Sequence, residues 1–267
     1  MNARDLLTRL EFAINIAREA GQITLQFFQR GVDVELKSDA SPVTIADREA
    51  ELYLRQRIAM EFAGDAILGE EFPEKAGDSG YRWILDPIDG TKSFISGVPL
   101  YSTLIGIEHA GRSVVGVIQI PALDERVYAA KGAGAWYQRG NSEPTPARVS
   151  SKSKLSESLF CTSEVKTFYN VGRGPAYERL QAASWLGRTW GDGYGYLMVA
   201  TGRAELMVDP KMNVWDCAAL QPVIEEAGGT FTDWSGAPTI YSGDAIATNG
   251  KVLDEVLEIT REFPAKK

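Results

Sequence analysis

Two aspartates in the stretch WILDPIDGTKSF (83–94) are the residues of this sequence best placed to do chemistry. Asp86 closes an apolar run, Pro87 follows it, and Asp89 comes just before a Gly90-Thr91 pair that opens the helical turn TKSFIS. If WILD is a strand, Asp86 projects beyond the sheet, and Pro87, which has no N–H, is expected to stop the ladder. The turn then carries Asp89 toward Asp86 with the Ile88 carbonyl between them. Oxygen ligands of this kind suit a hard cation such as Mg²⁺. A helix starting at Gly90-Thr91 offers unpaired N–H groups and a partial positive charge to a phosphate. The same letters also fit an Asx-turn followed by a helix cap. A haloacid-dehalogenase nucleophile loop, D-x-D-G-T, does not fit, because the aspartates here stand one residue further apart and a proline intervenes.

Other acids sit at element ends. Glu70 and Glu71 follow a short strand in AILGEEF, and Glu71 reads as a surface residue. Asp216 opens a helix in MNVWDCAAL, where it would also favour the helix dipole by about 0.3–1 kcal/mol. Thr44 and Asp47 in SPVTIADREAE have the spacing of a capping box. Imidazole is nearly absent: the single histidine, His109, lies in IEHAGRS, which reads as a hairpin turn, so Ser-His and Cys-His relays are excluded. Cys161 and Cys217 lack metal-site spacing and build no disulfide framework, which points to a reducing cytoplasm. The net charge of −8, without a basic cluster, argues against nucleic acid. No apolar run approaches the roughly 18 residues of a membrane span, and MNARDLLTRLEF lacks the apolar core of a secretory signal.

The elements that must position these groups follow from periodicity. Apolar residues recur at helical spacing over 4–29 and from Thr44 to about Phe62. AILGEE and YRWILD read as strands, and Tyr101 to Tyr137 as an antiparallel meander. The polar stretch RGNSEPTPARVSSKSK (139–154) resembles a boundary. Beyond it strands (SLFCTS, GRTWG, AELMVD, GTFTD, DAIAT) alternate with helices over 175–184, 194–201, 215–227 and from Lys251. An N-terminal α+β part (1–145) is thus expected to couple tightly to a C-terminal α/β part (146–267).

Four blocks, KSDASPVTIADREAE, LGEEF, WILDPIDGTKSF and VWDCAALQPVIEEAGG, resemble in order the inositol monophosphatase superfamily of Mg²⁺-dependent, lithium-sensitive phosphatases. The likeness spans nearly the whole chain. It implies a layered αβαβα sandwich of the inositol monophosphatase and fructose-1,6-bisphosphatase type, and a homodimer. Glu70, Asp86 and the Ile88 carbonyl would hold one Mg²⁺. Asp86, Asp89 and Asp216 would hold a second, with a third possible near Glu70. Gly90 and Thr91 would bind phosphate through backbone N–H groups, and an Asp47–Thr91 hydrogen-bonded pair would orient or deprotonate the attacking water. Such ions would reverse the local field of an acidic protein, activate water and shield the leaving oxygen, so that no catalytic histidine is required.

Within the superfamily, the run from RTWGDGYGYLMVATG to GTFTDWSG is most similar to the histidinol-phosphate phosphatases. Asp192, Asp209 and Asn213 fall where substrate-side residues are expected, and Asp192 and Asp209 would suit the protonated amine of L-histidinol phosphate. An inositol monophosphatase or a broad small-molecule phosphatase is the same-fold alternative. A non-catalytic binding protein keeping the fold is the alternative from another class.

Overall fold

Alternating burial builds the two large sheets. The computed structural model describes residues 2–37 and 42–264, so part of the KSDASPV block (38–41) lies outside the described residues. The first half runs α1 (Ala3–Leu25), β1 (Val34–Leu36), β2 (Pro42–Thr44), α2 (Ile45–Glu61), β3 (Ala66–Gly69), β4 (Tyr81–Asp89), α3 (Thr91–Ile95), β5 (Ser102–His109), β6 (Arg112–Ile120), β7 (Glu125–Ala130), β8 (Ala135–Arg139) and β9 (Thr145–Pro146). The second runs β10 (Leu159–Cys161), α4 (Val165–Asn170), α5 (Gly174–Ala183), β11 (Leu186–Arg188), α6 (Asp192–Ala200), β12 (Leu206–Asp209), α7 (Val214–Ala218), α8 (Leu220–Glu226), β13 (Thr230–Thr232), β14 (Ala245–Thr248) and α9 (Leu253–Thr260).

Strands β3 to β9 form a seven-stranded sheet in chain order, antiparallel apart from the β3–β4 pair. A five-stranded sheet has the order β11-β10-β12-β14-β13, and β1 and β2 form a two-stranded antiparallel pair of their own. On the first sheet, Trp83, Leu85, Ile105, Ile107, Val115 and Val117 face α1 and α2. Their neighbours Ile84, Leu104 and Ile118 face the opposite way, onto Leu197, Cys217, Ala218 and Val223 of α6–α8. The second sheet repeats the rule: Met207 and Ala247 join that central core, whereas Phe160, Leu206, Val208 and Ile246 face Phe168, Leu180 and Val256 on the outer helices. Five layers result, helix–sheet–helix–sheet–helix, as the resemblance implied. Among the described residues no helix is long and apolar enough to cross a membrane.

Three departures from the sequence reading bear on the site. Pro87 does not end its strand: the β4–β5 register slips between Asp86 and Asp89 and pairing resumes at Asp89–Ser102. A bulge tolerates the missing N–H, and the idle Pro87 carbonyl accepts the Thr103 hydroxyl at 2.9 Å. Helix α1 stops at Leu25 because Phe28 leaves its stripe to pack on Phe94 and Tyr101. The helix expected over 215–227 breaks into α7 and α8. Pro222 has no N–H for the Ala218 carbonyl four residues back, and the Ser113 hydroxyl donates to that carbonyl instead.

Two glycines seat that break. Gly106 and Gly116 are cross-strand partners on β5 and β6. A Cβ on Gly106 would come within 2.5 Å of the Ala218 backbone, and one on Gly116 within 2.0 Å of the Ala219 carbonyl. Only bare backbone lets α7 lie this close, which brings Asp216 down onto the end of β4.

Asp65 fastens the first layer. Its carboxylate accepts two bonds from Arg9, both 2.9 Å, one from Ser79 at 2.6 Å and one from the Trp83 indole at 2.9 Å. Burial alone would raise its pKa, but these donors outweigh it and hold the carboxyl below its ordinary value. With the folded pKa depressed, the contribution is complete above the unfolded pKa of about 3.9 and is lost as pH falls through the folded value. Asp65→Ala, which strands Arg9 and Trp83, is expected to lower the unfolding free energy by about 3–5 kcal/mol. Urea denaturation at neutral pH checks this; an unshifted midpoint would show the node to be idle.

Candidate metal centre

The end of β4, the first turn of α3, the start of α6 and the start of α7 converge on a cleft of about 370 Å³. Asp86, Asp89 and Asp216 each offer an oxygen there, and the three oxygens lie within 4.8 Å of one another. The β4 bulge places the first two. Asp89 Oδ2 is steadied by the Ser102 hydroxyl at 2.7 Å and by the Gly193 N–H. Asp216 is fixed by its own helix start, where Oδ2 accepts the Asn213 N–H at 2.6 Å. Asp86 is buried, and its Oδ1 has no hydrogen-bond partner.

This cluster is electrostatically frustrated. Among the described residues no Lys or Arg pairs with any of the three. Burial first, and then neighbouring carboxylates, push Asp86 and Asp89 well above the usual range. Asp216 rises to about 6, mainly through burial. Hard oxygen donors, close spacing and an orphaned buried carboxylate oxygen fit a divalent cation.

Glu70 lines the same cleft, and burial lifts it to about 7. Its carboxylate is held by Lys37 Nζ at 2.7 Å, and the same ammonium reaches Glu71 at 2.6 Å. Glu71 is therefore no surface residue: its side chain is 5% exposed. Burial lowers the Lys37 pKa, but the two carboxylates more than reverse this and keep the ammonium charged.

At the other end, Gly90 adopts φ 86°, and a Cβ there would lie 2.6 Å from Asp192 Oδ2. The Asp192 carboxylate thus rests against the loop that starts α3. Asp192 itself sits at φ 54°, its N–H bonded to the Ser163 hydroxyl at 2.9 Å, and burial raises it to about 6. Lys92 and Glu164 pair at 2.7 Å across the rim.

The structure gathers Glu70, Asp86, Ile88, Asp89, Gly90, Thr91, Asp192, Asp209 and Asp216 around one cleft. It does not pair Asp47 with Thr91. The Asp47 carboxylate closes the capping box, accepting the Thr44 N–H at 2.8 Å and hydroxyl at 2.6 Å, while the Thr91 hydroxyl donates to the Ile88 carbonyl at 3.1 Å. Asp209 is saturated by the Thr162, Ser163 and Tyr196 hydroxyls and the Ser163 N–H, so it braces the wall and has little capacity for a ligand. Asn213 is exposed and caps α7 outside the cleft lining. Sequence reasoning missed Ser102, Ser163 and Lys37. Ser102 was recoverable only as the cross-strand partner of Asp89, once the bulge was known.

The model of the inositol monophosphatase family matches residues 5–264. A histidinol-phosphatase of Chlorobaculum parvum is 42% identical over 91% of this chain and 93% of its own length. One of Mycobacterium tuberculosis is 37% identical over 93% and 96%. Among solved structures, the IMPase of Thermotoga maritima superposes with a TM-score of 0.84 at 33% identity, covering 96% of this chain and 97% of that one.

The raised carboxyls predict an inverted pH response. Their folded pKa values exceed the unfolded ones, so the cation-free protein gains stability as pH falls through the 6–7 range of Asp216, Asp192 and Glu70 and loses it as pH rises. Divalent cations need the ionised acids and bind better as pH rises. Thermal melts with EDTA should therefore favour about pH 5.5 over about pH 8, and saturating Mg²⁺ should stabilise most at the higher pH, by about 2.7 kcal/mol at a hundred times Kd. An Asp86→Asn, Asp216→Asn variant keeps Glu70 and Asp192, so it should weaken the EDTA trend and lose most of the cation's stabilisation. Identical curves for variant and wild type would exclude these carboxyls as the source.

Proposed function

The chain belongs to the inositol monophosphatase family, and from that premise we propose that it is a Mg²⁺-dependent phosphomonoesterase that hydrolyses L-histidinol phosphate to L-histidinol and phosphate. The observation that carries the reading is the uncompensated group Asp86–Asp89–Asp216, the first buried and the other two half-buried, in a cleft wide enough for a small phosphate ester. Glu70, Asp86, Asp89, Asp216 and the Ile88 carbonyl would hold two Mg²⁺ ions. Bound there, the cations supply Lewis acidity, lowering the pKa of water and shielding the ester's departing oxygen.

The chain's own groups do the rest. Peptide N–H groups at Gly90 and Thr91 open the first turn of α3, where no intrahelical acceptor claims them, and receive phosphate oxygens. Thr91, tied to the Ile88 carbonyl, keeps that turn in register with the bulge. Asp47 acts through structure: its capping box fixes the start of α2 behind the cleft. Glu70, whose carboxylate Lys37 holds at 2.7 Å, would accept a hydrogen bond from the attacking water beside the cations.

Substrate choice rests on two supports. The two histidinol-phosphatase relatives are 42% and 37% identical over nearly their full lengths. Asp192 adds chemistry: its side chain meets only hydroxyl donors, Ser93 at 3.5 Å among them, so an ammonium group would be its strongest partner. Inositol phosphates are the second reading, favoured by the likeness to the Thermotoga maritima IMPase.

Phosphate release from histidinol phosphate and inositol 1-phosphate, at equal concentration with Mg²⁺, tests the proposal. Preference for histidinol phosphate is expected; preference for the inositol ester would move the substrate and leave the metal chemistry standing. Asp89→Asn should reduce turnover by at least about a hundredfold, the upper end of the loss seen when mere supporting residues of a metal site are removed. Near-normal rates at saturating Mg²⁺ would take Asp89 out of the site.

A further inference from the structure

Helix α2 carries a stripe of ionisable residues, Asp47, Glu51 and Arg55, at successive four-residue intervals on one face. Glu51 is 0% exposed, yet the cleft lining does not include it. A buried glutamate is expensive unless its oxygens are engaged, and here both are. Oε2 accepts the Glu71 N–H at 2.7 Å, and Oε1 accepts Arg55 Nε at 2.6 Å. The remaining Arg55 nitrogens donate to the Phe72 carbonyl at 2.8 Å and the Pro73 carbonyl at 3.0 Å. Three consecutive residues, 71 to 73, are therefore gripped from one helix face. Gly69 completes the fit, because a Cβ there would stand 2.1 Å from Glu51 Oε1.

The gripped segment is the one that presents Glu70. Its N–H bonds to the Leu85 carbonyl at 3.3 Å, one residue before Asp86, and its side chain enters the cleft. Upstream, then, the Glu70 backbone is pinned to β4; downstream it is pinned to α2. We infer that Glu51 and Arg55 form a positioning pair that holds the Glu70 carboxylate at the cation site, and that neither touches substrate. The assignment rests on the reading of the cleft as a divalent-cation site. A purely structural ion pair predicts something different: loss of global stability with the cation site intact in whatever protein remains folded.

Titration of Mn²⁺ alone into metal-stripped full-length protein, followed by calorimetry, separates these cases. Glu51→Gln keeps the side-chain volume but turns an amide toward Arg55; it should weaken Mn²⁺ binding about 10–100-fold, the range for groups that orient metal ligands. Arg55→Lys keeps the charge beside Glu51 and loses the two-carbonyl fork, and a smaller loss in the same direction is expected. In parallel, the Mn²⁺ concentration for half-maximal phosphate release should rise while the KM for the ester stays unchanged. Variants that melt earlier but bind Mn²⁺ as tightly as wild type would overturn the positioning role, and if Glu51→Gln does not fold, Arg55→Lys alone decides. Wild-type protein that takes up no Mn²⁺ would remove the cation reading itself, and the inference with it.

Discussion

Mutual repulsion among carboxylates held together without a counter-charge is the constraint around which this protein is organised. Two unit charges within 4.8 Å of each other repel by at least roughly 3–4 kcal/mol at an effective dielectric of about 20. With three such groups the ionised cluster opposes folding, and something in the architecture must hold it. The β4 bulge, the Ser102 hydroxyl, the Gly193 N–H and the capping turn at Asn213 do so, each fixing one carboxylate by a short local contact. None of them neutralises the charge. That is the arrangement expected of a protein that leaves neutralisation to a ligand.

The wall of the cleft facing the start of α3 works by relay. Asp209 gathers four donors, among them the Ser163 hydroxyl, and that hydroxyl in turn receives the Asp192 N–H. Asp192 leans on Gly90, at the start of α3. A saturated acid on one sheet thus sets, through one serine, the acid that touches the loop opening α3 beside the other. The strained φ of Asp192, 54°, is held by these contacts on both sides.

Much of this was legible in the letters, and the failures have physical causes. Periodicity of two and of 3.6 reported the sheets and long helices because burial dictates both. The aspartates of DPIDGT were visible because oxygen donors at a strand end beside a helix start suit a cation and a phosphate, although an Asx-turn and a helix cap fitted the same letters. Pro87 misled because a missing donor ends a flat ladder but is tolerated in a bulge, and the register of β5 decides which occurs. Glu71 and Asp209 misled because exposure and hydrogen-bond saturation depend on partners distant in the chain, Lys37 in one case and Ser163 and Tyr196 in the other. The break between α7 and α8 could have been read from Pro222, whose rescue by Ser113 could not.

The bare backbone at Gly106 and Gly116 has a temporal consequence. Asp86 and Asp89 take their places when β4 and β5 pair, an event between near neighbours in the chain. Asp216 arrives only when α7 settles into the hollow those two glycines leave on β5 and β6. Contacts so remote in sequence form late. The centre is therefore complete only once the whole tertiary fold is in place, and a ligand bridging all three acids would act mainly as a brake on unfolding.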